Sequence, residues 1–385
     1  MHLLDERSER FAKACFSRYY KSTNISINHA EKREFGFGNF EKKIMFRHIS
    51  FKDNDHLLRY IREHAPPFIS YSPSLYKFPD ARPMERKVWE GSELVFDIDS
   101  NDLELSCQKG HGRSWVCDNC QSAVKAETLK LIEEFLIPDF GFSKDEIKVN
   151  FSGNRGYHIH VTAKNISDLG SDQRKEISDY ISGRDISIRE MFPTIGKRNS
   201  RLEGPKPNDP GWGGRIASGM IIALNSGIPA LRSLGMGKRE AELMYGNRTN
   251  VILGITNGNW DKVSIPKKEE FWTGVVNTMT IKQSDSIDGN VTSSVYHLLR
   301  MPNTLHGDTA LLSRPISSIH RLGEFEPMRH AVVFKKGEEE VELIRDAPTL
   351  YMNGMTFGPY KSGAKQVIPT YAALYLILKR YARSA

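Results

Sequence analysis

At 385 residues and 43.8 kDa, the chain is long enough for two or three ordinary domains, or for one large domain carrying insertions. Hydrophobic residues make up 39% and charged residues 26%, which excludes an intrinsically disordered chain, and no apolar run approaches the ~20 residues of a bilayer-spanning helix. Lys+Arg 54 against Asp+Glu 47 leaves a formal charge of +7, a surplus that suits a polyanionic partner and points to no membrane.

In chain order, residues 1–30 read as a helix, with Phe11, Ala12, Cys15, Phe16 and Tyr19 at three- and four-residue spacing. Residues 33–51 alternate like paired strands around a Gly-Asn turn, and the polar stretch holding Asp53-Asn54-Asp55 reads as a solvated turn. Residues 93–99, ELVFDID, form a short apolar strand, and 121–136 a helix. The strand IKVNF leads through SGNRG into YHIHVTA. Residues 195–215 are loop-like, rich in Gly, Pro and Asn, and about 216–250 reads as helical. Strand–helix alternation resumes near 291, and the apolar run TYAALYLILKRYA closes the chain as a helix. The basic surplus is uneven: residues 181–250 carry 11 Lys/Arg against 6 Asp/Glu.

Cysteine is sparse, with Cys15, Cys107, Cys117 and Cys120 the only four. Together with an N-terminus that is charged from its fifth residue, this predicts a reducing, cytoplasmic setting without a disulfide framework. Cys15 reads as a small buried hydrophobe on the first helix. The other three form Cys107-x3-His111-x5-Cys117-x2-Cys120, two close pairs of soft and borderline donors that suit a closed tetrahedral zinc site. Four protein ligands leave no open position, so the site reads as structural. Losing a ligand should then cost stability before it costs nucleotide affinity.

Three further segments carry chemistry. Asp97 and Asp99 are two residues apart on an apolar strand, so both carboxylates project from one face, a costly arrangement unless a divalent cation neutralises them. Oxygen donors of this kind favour Mg²⁺ or Mn²⁺. In the segment from Phe151 to His160, two glycines let backbone amides approach an anion. Ser152, Arg155 and His158 add a hydroxyl, a guanidinium and an imidazole, while His160 reads as a supporting residue. The third segment runs from Asp285 and Asp288 to Arg300 and His306, the last two expected on a loop after a short helix.

In this order, ELVFDID, SGNRGYHIH and IDGNVT…HLLRMPNTLHG resemble the catalytic small subunit of the archaeo-eukaryotic DNA primase family, with the zinc segment between the first two. REFGF with MFRHISF resembles the family's N-terminal strand pair, and the closing helix its own counterpart. The resemblance covers most of the chain except about 165–280. It implies an α/β (α+β) fold with mixed sheets flanked by helices. The catalytic domain would comprise 1–194 and 261–385, with a zinc-binding insertion at 105–122 and a small helical insertion at 195–260.

It also implies a nucleotidyltransferase of DNA-directed RNA polymerase type. Such an enzyme makes short primers on single-stranded DNA template from nucleoside triphosphates, as half of a heterodimer with the primase large subunit in DNA replication. Asp97, Asp99 and Asp288 would hold two catalytic ions. Asp288 is preferred to Asp285 because it directly precedes the Val-Thr-type strand. Ser152, Arg155, His158, Arg300 and His306 would meet the nucleotide's phosphates, and Glu34 and Arg47 match an N-terminal polar pair of open role. Asn154 departs from the pattern, standing where a second basic residue is common. Two rivals remain: a gap-filling or translesion polymerase of the same superfamily, and a non-catalytic zinc-bearing nucleic-acid adaptor. The adaptor leaves the three aspartates unexplained.

Overall fold

The structure is a computed structural model, and it describes residues 4–184, 186–195, 201–263, 275–276 and 291–385. The chain divides into two compact units. The first comprises Met1–Leu129, Phe142–Lys175 and Gln283–Ala385, the second Lys130–Gly141 and Glu176–Lys282.

The first unit opens on helix α1 (Glu6–Ser22), whose N-cap Asp5 accepts a hydrogen bond from the Ser8 amide at 3.0 Å. Ala12, Cys15, Phe16 and Tyr20 form its buried stripe. The helix stops well before residue 30 because the chain turns extended at the β-branched Thr23. Strands β1 (Phe35–Gly38) and β2 (Phe46–Ile49) pair antiparallel, as the alternation predicts. Asp53 is not in a free turn. Its carboxylate accepts from the His56 amide and caps helix α2 (Asn54–His64), the other use to which a short acidic side chain is put. Strands β3 (Phe68–Tyr71), β4 (Ser74–Tyr76), β5 (Trp89–Ser92) and β6 (Leu94–Asp99) follow. After them come short α3 (Gln108–His111), α4 (Asp118–Leu131) running into a π-helical turn Ile132–Leu136, and β7 (Ile147–Phe151) and β8 (Gly156–Val161).

After α5 (Ser171–Ile181), the described residues of the second unit include the pair β9 (Thr194–Ile195) and β10 (Arg201–Leu202) and a run of helices. These are α6 (Gly211–Ser226), α7 (Ile228–Ser233), α8 (Lys238–Gly246) and α9 (Arg248–Thr256). Arg215 anchors this unit, pairing with Asp139 at 2.7 Å while its guanidinium lies 3.9 Å from the Phe135 ring centroid.

The first unit resumes with β11 (Leu299–Arg300), β12 (Arg314–Ile316), β13 (Glu338–Leu343), the hairpin β14 (Leu350–Met352) and β15 (Met355–Phe357), and β16 (Lys365–Pro369). A closing helix, Thr370–Leu378, buries all nine of its residues, as a run without a polar face must. It ends earlier than the apolar run suggests, because Arg380 takes a positive φ of 64° and the chain continues as β17 (Ala382–Ser384).

Two four-stranded sheets, ordered β11-β3-β1-β2 and β12-β7-β8-β6, form the frame, with a smaller β16-β13-β17 sheet beside the closing helix. This is the expected α/β architecture, narrowed in one respect: every strand pairing among the described residues is antiparallel. No helix among those residues is long and apolar enough to cross a membrane.

Candidate active site

Strand β6 buries Leu94, Phe96 and Ile98 completely, and this leaves the alternate positions Asp97 and Asp99 facing the open side of the sheet. The β6–β8 register sets Asp97 opposite His158 and Asp99 opposite Gly156. Gly156 is required there, since a β-carbon would collide with the Ile98 carbonyl across the strand. Both aspartates line a cavity of about 540 Å³ together with Ser152, Asn154, Arg155, His158, Arg300 and His306. Burial, then the charges of Asp99 and Asp102, push the Asp97 carboxyl up to about 7, although a quarter of the side chain still opens to the cavity. Two carboxylates with this much uncompensated charge suit a divalent cation. Asp285 and Asp288 lie outside the described residues.

Donors converge on the same cavity. In the β7–β8 turn, Ser152 Oγ accepts from the amides of Asn154 (3.4 Å) and Gly156 (3.2 Å), which leaves the hydroxyl proton free to donate outward. Gly153 has φ +86°, and a β-carbon on it would lie 2.9 Å from His306 Cβ, so the turn packs directly on the His306 loop. Arg155 Nε sits 3.3 Å from Asp99, and its Nη1 donates to the Arg113 carbonyl at 3.1 Å. His158 Nε2 lies 3.7 Å from Asp97. Burial, followed by the nearby charges of His160, Arg300 and His297, pushes His158 down to about 3, so the ring is neutral.

Arg300 is not on a loop, whereas His306 is on the expected loop, which follows strand β11. Arg300 sits in β11, paired with Ser70 of β3, and its guanidinium lies 4.7 Å from the Phe68 ring centroid. It is only 9% exposed, so this cation is held in the wall of the cavity and not on the surface. His306 is kept neutral by burial first and then by Arg300. The Asp308 amide donates to His306 Nδ1 at 3.1 Å, so the ring proton sits on Nε2 as a donor. His160 has the supporting place expected of it: its Nδ1 lies 2.7 Å from Glu93, which also binds Arg33 at 2.7 Å.

Glu34 is fully buried and organises the other flank. Its Oε1 accepts from Arg47 Nε at 2.8 Å and from the His48 amide at 3.0 Å, and Lys87 Nζ lies 3.3 Å from Oε2. Burial opposes its charge, but Arg47, Lys87 and His48 outweigh that and hold the carboxyl below its ordinary range. Arg47 in turn reaches the cavity lining. Removing the buried anion would strand Lys87, so Glu34→Gln is expected to cost about 3 kcal/mol in urea unfolding.

The zinc-type ligands also meet. Donor atoms of Cys107, His111, Cys117 and Cys120 all lie within 4.8 Å of one another. Cys107 and Cys120 sulfurs are 3.5 Å apart, those of Cys117 and Cys120 3.7 Å, and His111 Nε2 is 3.3 Å from Cys117 Sγ. Tetrahedral zinc with ~2.3 Å metal–sulfur bonds needs sulfur–sulfur edges of ~3.8 Å, so the set fits. His111 Nδ1 lies 2.7 Å from the Gly112 carbonyl, which fixes the tautomer with Nε2 as the free ligand atom.

Lys43, His297 and Lys379 escaped the sequence reading. Lys43 and His297 line the cavity, and Lys379 lies behind Asn154, donating to its Oδ1 at 2.9 Å. His297 opens the quoted HLLRMPNTLHG and Lys379 lies in the closing run, but neither was given a role, and Lys43 and Lys379 reach the site from distant segments through tertiary packing.

The profile described as DNA primase small subunit matches residues 96–318. Similar curated proteins named DNA primase small subunit PriS come from several archaea. The Methanothrix thermoacetophila protein is 34% identical over 98% of this chain and 99% of its own. The Methanosarcina mazei protein is 31% identical over 98% and 96%, and that of Picrophilus torridus 31% over 94% of each. A match of this reach, spanning both the carboxylate strand and the His306 loop, means that the chain belongs to the DNA primase small subunit family.

Proposed function

We propose that the chain is the catalytic subunit of a DNA primase, a nucleotidyltransferase that builds short primers on single-stranded DNA, with this cavity as its active site. The observation that carries the reading is the meeting of a carboxylate pair with hydroxyl, guanidinium and imidazole donors around one cavity of nucleotide size. Asp97 and Asp99, with Asp288 as the third acid, would hold magnesium or manganese. When bound, such ions lower the pKa of an attacking 3′-hydroxyl and neutralise charge on the pyrophosphate. The chain's own groups do the positioning. Arg155 and Arg300 balance triphosphate charge, while Ser152 and His306 Nε2 donate to phosphate oxygens without changing charge. Neutral His158 can approach the phosphates beside Asp97 without repelling bound cations. Little covalent work falls to any side chain.

The deciding experiment is synthesis on unprimed single-stranded DNA with triphosphates and Mg²⁺ or Mn²⁺, with and without the large subunit expected as partner. Labelled oligonucleotides of a few residues are the expected product. Extension of a supplied primer with no unprimed synthesis in either condition would favour the gap-filling polymerase instead.

A template path is supported beside the cavity. A second hollow of about 670 Å³ shares Arg47 with the first and is bordered by Phe46 and Arg82. Phe46 is 60% exposed on the edge strand β2, an aromatic face open for base stacking. Phe46→Ala is expected to weaken single-stranded DNA binding about tenfold by fluorescence anisotropy. Arg82→Ala should lower the salt slope by about 0.7. Unchanged affinity in both would place the template elsewhere.

A further inference from the structure

Asn154 is the one residue of the β7–β8 turn whose place among the donors has no assigned purpose. It is 8% exposed, lines the cavity, and sits between Ser152 and Arg155. Its main chain is pinned to Ser152 Oγ, and its side chain is held from behind by Lys379, the residue that follows the closing helix. Lys379 is itself 8% exposed, and its Nζ donates to Asn154 Oδ1 and to the Ser114 carbonyl, both at 2.9 Å. With Lys379 charged, as a bound triphosphate favours, its ammonium can only donate, so the amide atom turned toward it is the oxygen. That fixes the amide plane and turns the NH₂ group away from Lys379. Among the described residues, Asn154 Nδ2 donates to no protein acceptor. Nδ2 is not itself sealed from solvent, so in the cavity lining it is a donor open to a ligand or to water. Burial, with the charge of Arg155 adding to it, pushes Lys379 down to about 7, and the negative charge of a bound triphosphate acts in the opposite sense.

We infer that Asn154 Nδ2 is a further phosphate donor of the nucleotide cradle and that Lys379 is the positioning residue that aims it. The inference rests on the nucleotide-binding reading above and deepens it. Asn154 contributes a neutral donor at the surface of the cavity, while the cation stays one layer behind, where it polarises the amide without meeting the substrate. The same lysine ties the turn to Ser114 of the zinc segment, so the cradle is held from the closing helix and from the zinc segment at once.

The test measures binding of a fluorescent ATP analogue in the presence of Ca²⁺, which supports binding without turnover, alongside KM and kcat with Mn²⁺. Asn154→Ala and Lys379→Met are each expected to weaken binding roughly tenfold, mainly through KM, since each removes one hydrogen bond to a charged group. The double variant should be no weaker than either single one, because both act through one contact. Asn154→Asp separates the roles. It keeps a partner for Lys379 and so preserves any purely structural tie, but it replaces the donor with an anion, so binding should fall at least as far as in Asn154→Ala. Binding within twofold of wild type in both Asn154 variants would overturn the inference, as would a double-variant loss equal to the product of the two single losses. If Lys379→Met does not fold, the two Asn154 variants decide alone. Failure of the wild-type chain to bind the analogue would bring down the nucleotide reading itself, whereas unchanged Asn154 variants beside a binding wild type bring down only this inference.

Discussion

Asp97→Asn and Asp99→Asn are each expected to reduce nucleotide incorporation by about a thousandfold or more while leaving the fold intact. Both acids face the cavity from a strand whose opposite face is sealed by Leu94, Phe96 and Ile98, so neither substitution disturbs packing. The loss would be of metal-holding charge, an effect of the size seen when a transition-state electrostatic contact is removed. The metal-free protein should respond in the opposite direction. Asp97 is held near 7 by burial and by Asp99, above the ordinary aspartate value, so the folded state binds a proton that the unfolded state has released. Metal-free stability therefore falls as pH rises from about 4 to about 7, and Asp97→Asn should raise the metal-free melting temperature at pH 8. For the same reason, Mg²⁺ or Mn²⁺ should raise the wild-type melting temperature more at pH 8 than at pH 6, where the ion must displace that proton. Full incorporation by both variants would remove these acids from the mechanism.

Cys117→Ser is expected to lower stability by about 4 kcal/mol or more in chemical denaturation, the scale of losing a structural metal. The four donors already stand at zinc-like separations, and the Cys120 backbone amide and the His111 side chain outweigh burial to hold the Cys117 thiol below its ordinary range. A chelator should reproduce the loss in the wild-type protein, and equal unfolding midpoints with and without chelator would count against a structural zinc. Carbonyls of the zinc segment also hold two of the cradle's cations. Arg113 accepts from Arg155 at 3.1 Å and Ser114 from Lys379 at 2.9 Å. Zinc loss should therefore destabilise first and loosen triphosphate binding second.

Much of the site is local in character, and that part was legible. An Asp-x-Asp pair on an apolar strand can face only one way, because strand periodicity is two. A hairpin turn with two glycines and a Cys/His set of close spacing carry their geometry in the chain itself. Reading failed where a local pattern has two physical outcomes. Asp53 could sit in a turn or cap a helix, and only the chain that follows, packed through Leu57, Leu58 and Ile61, selects the cap. Arg300 reads as a loop residue after a short helix, yet pairing of Leu299 and Arg300 with Tyr71 and Ser70 makes them an edge strand.

Length, composition and charge pointed to a large packed core and suited a polyanionic partner, and its motifs in order indicated the family and the chemistry. They could do so because residue type and short spacing fix which side chains share a face or a turn. What only the tertiary structure decided is which charges are buried and what stands behind them: Arg300 in the cavity wall, Lys87 against Glu34, and Lys379 behind Asn154. Those partners lie tens to hundreds of residues apart, and the desolvation that sets their protonation exists only once the sheets and the closing helix have packed around them.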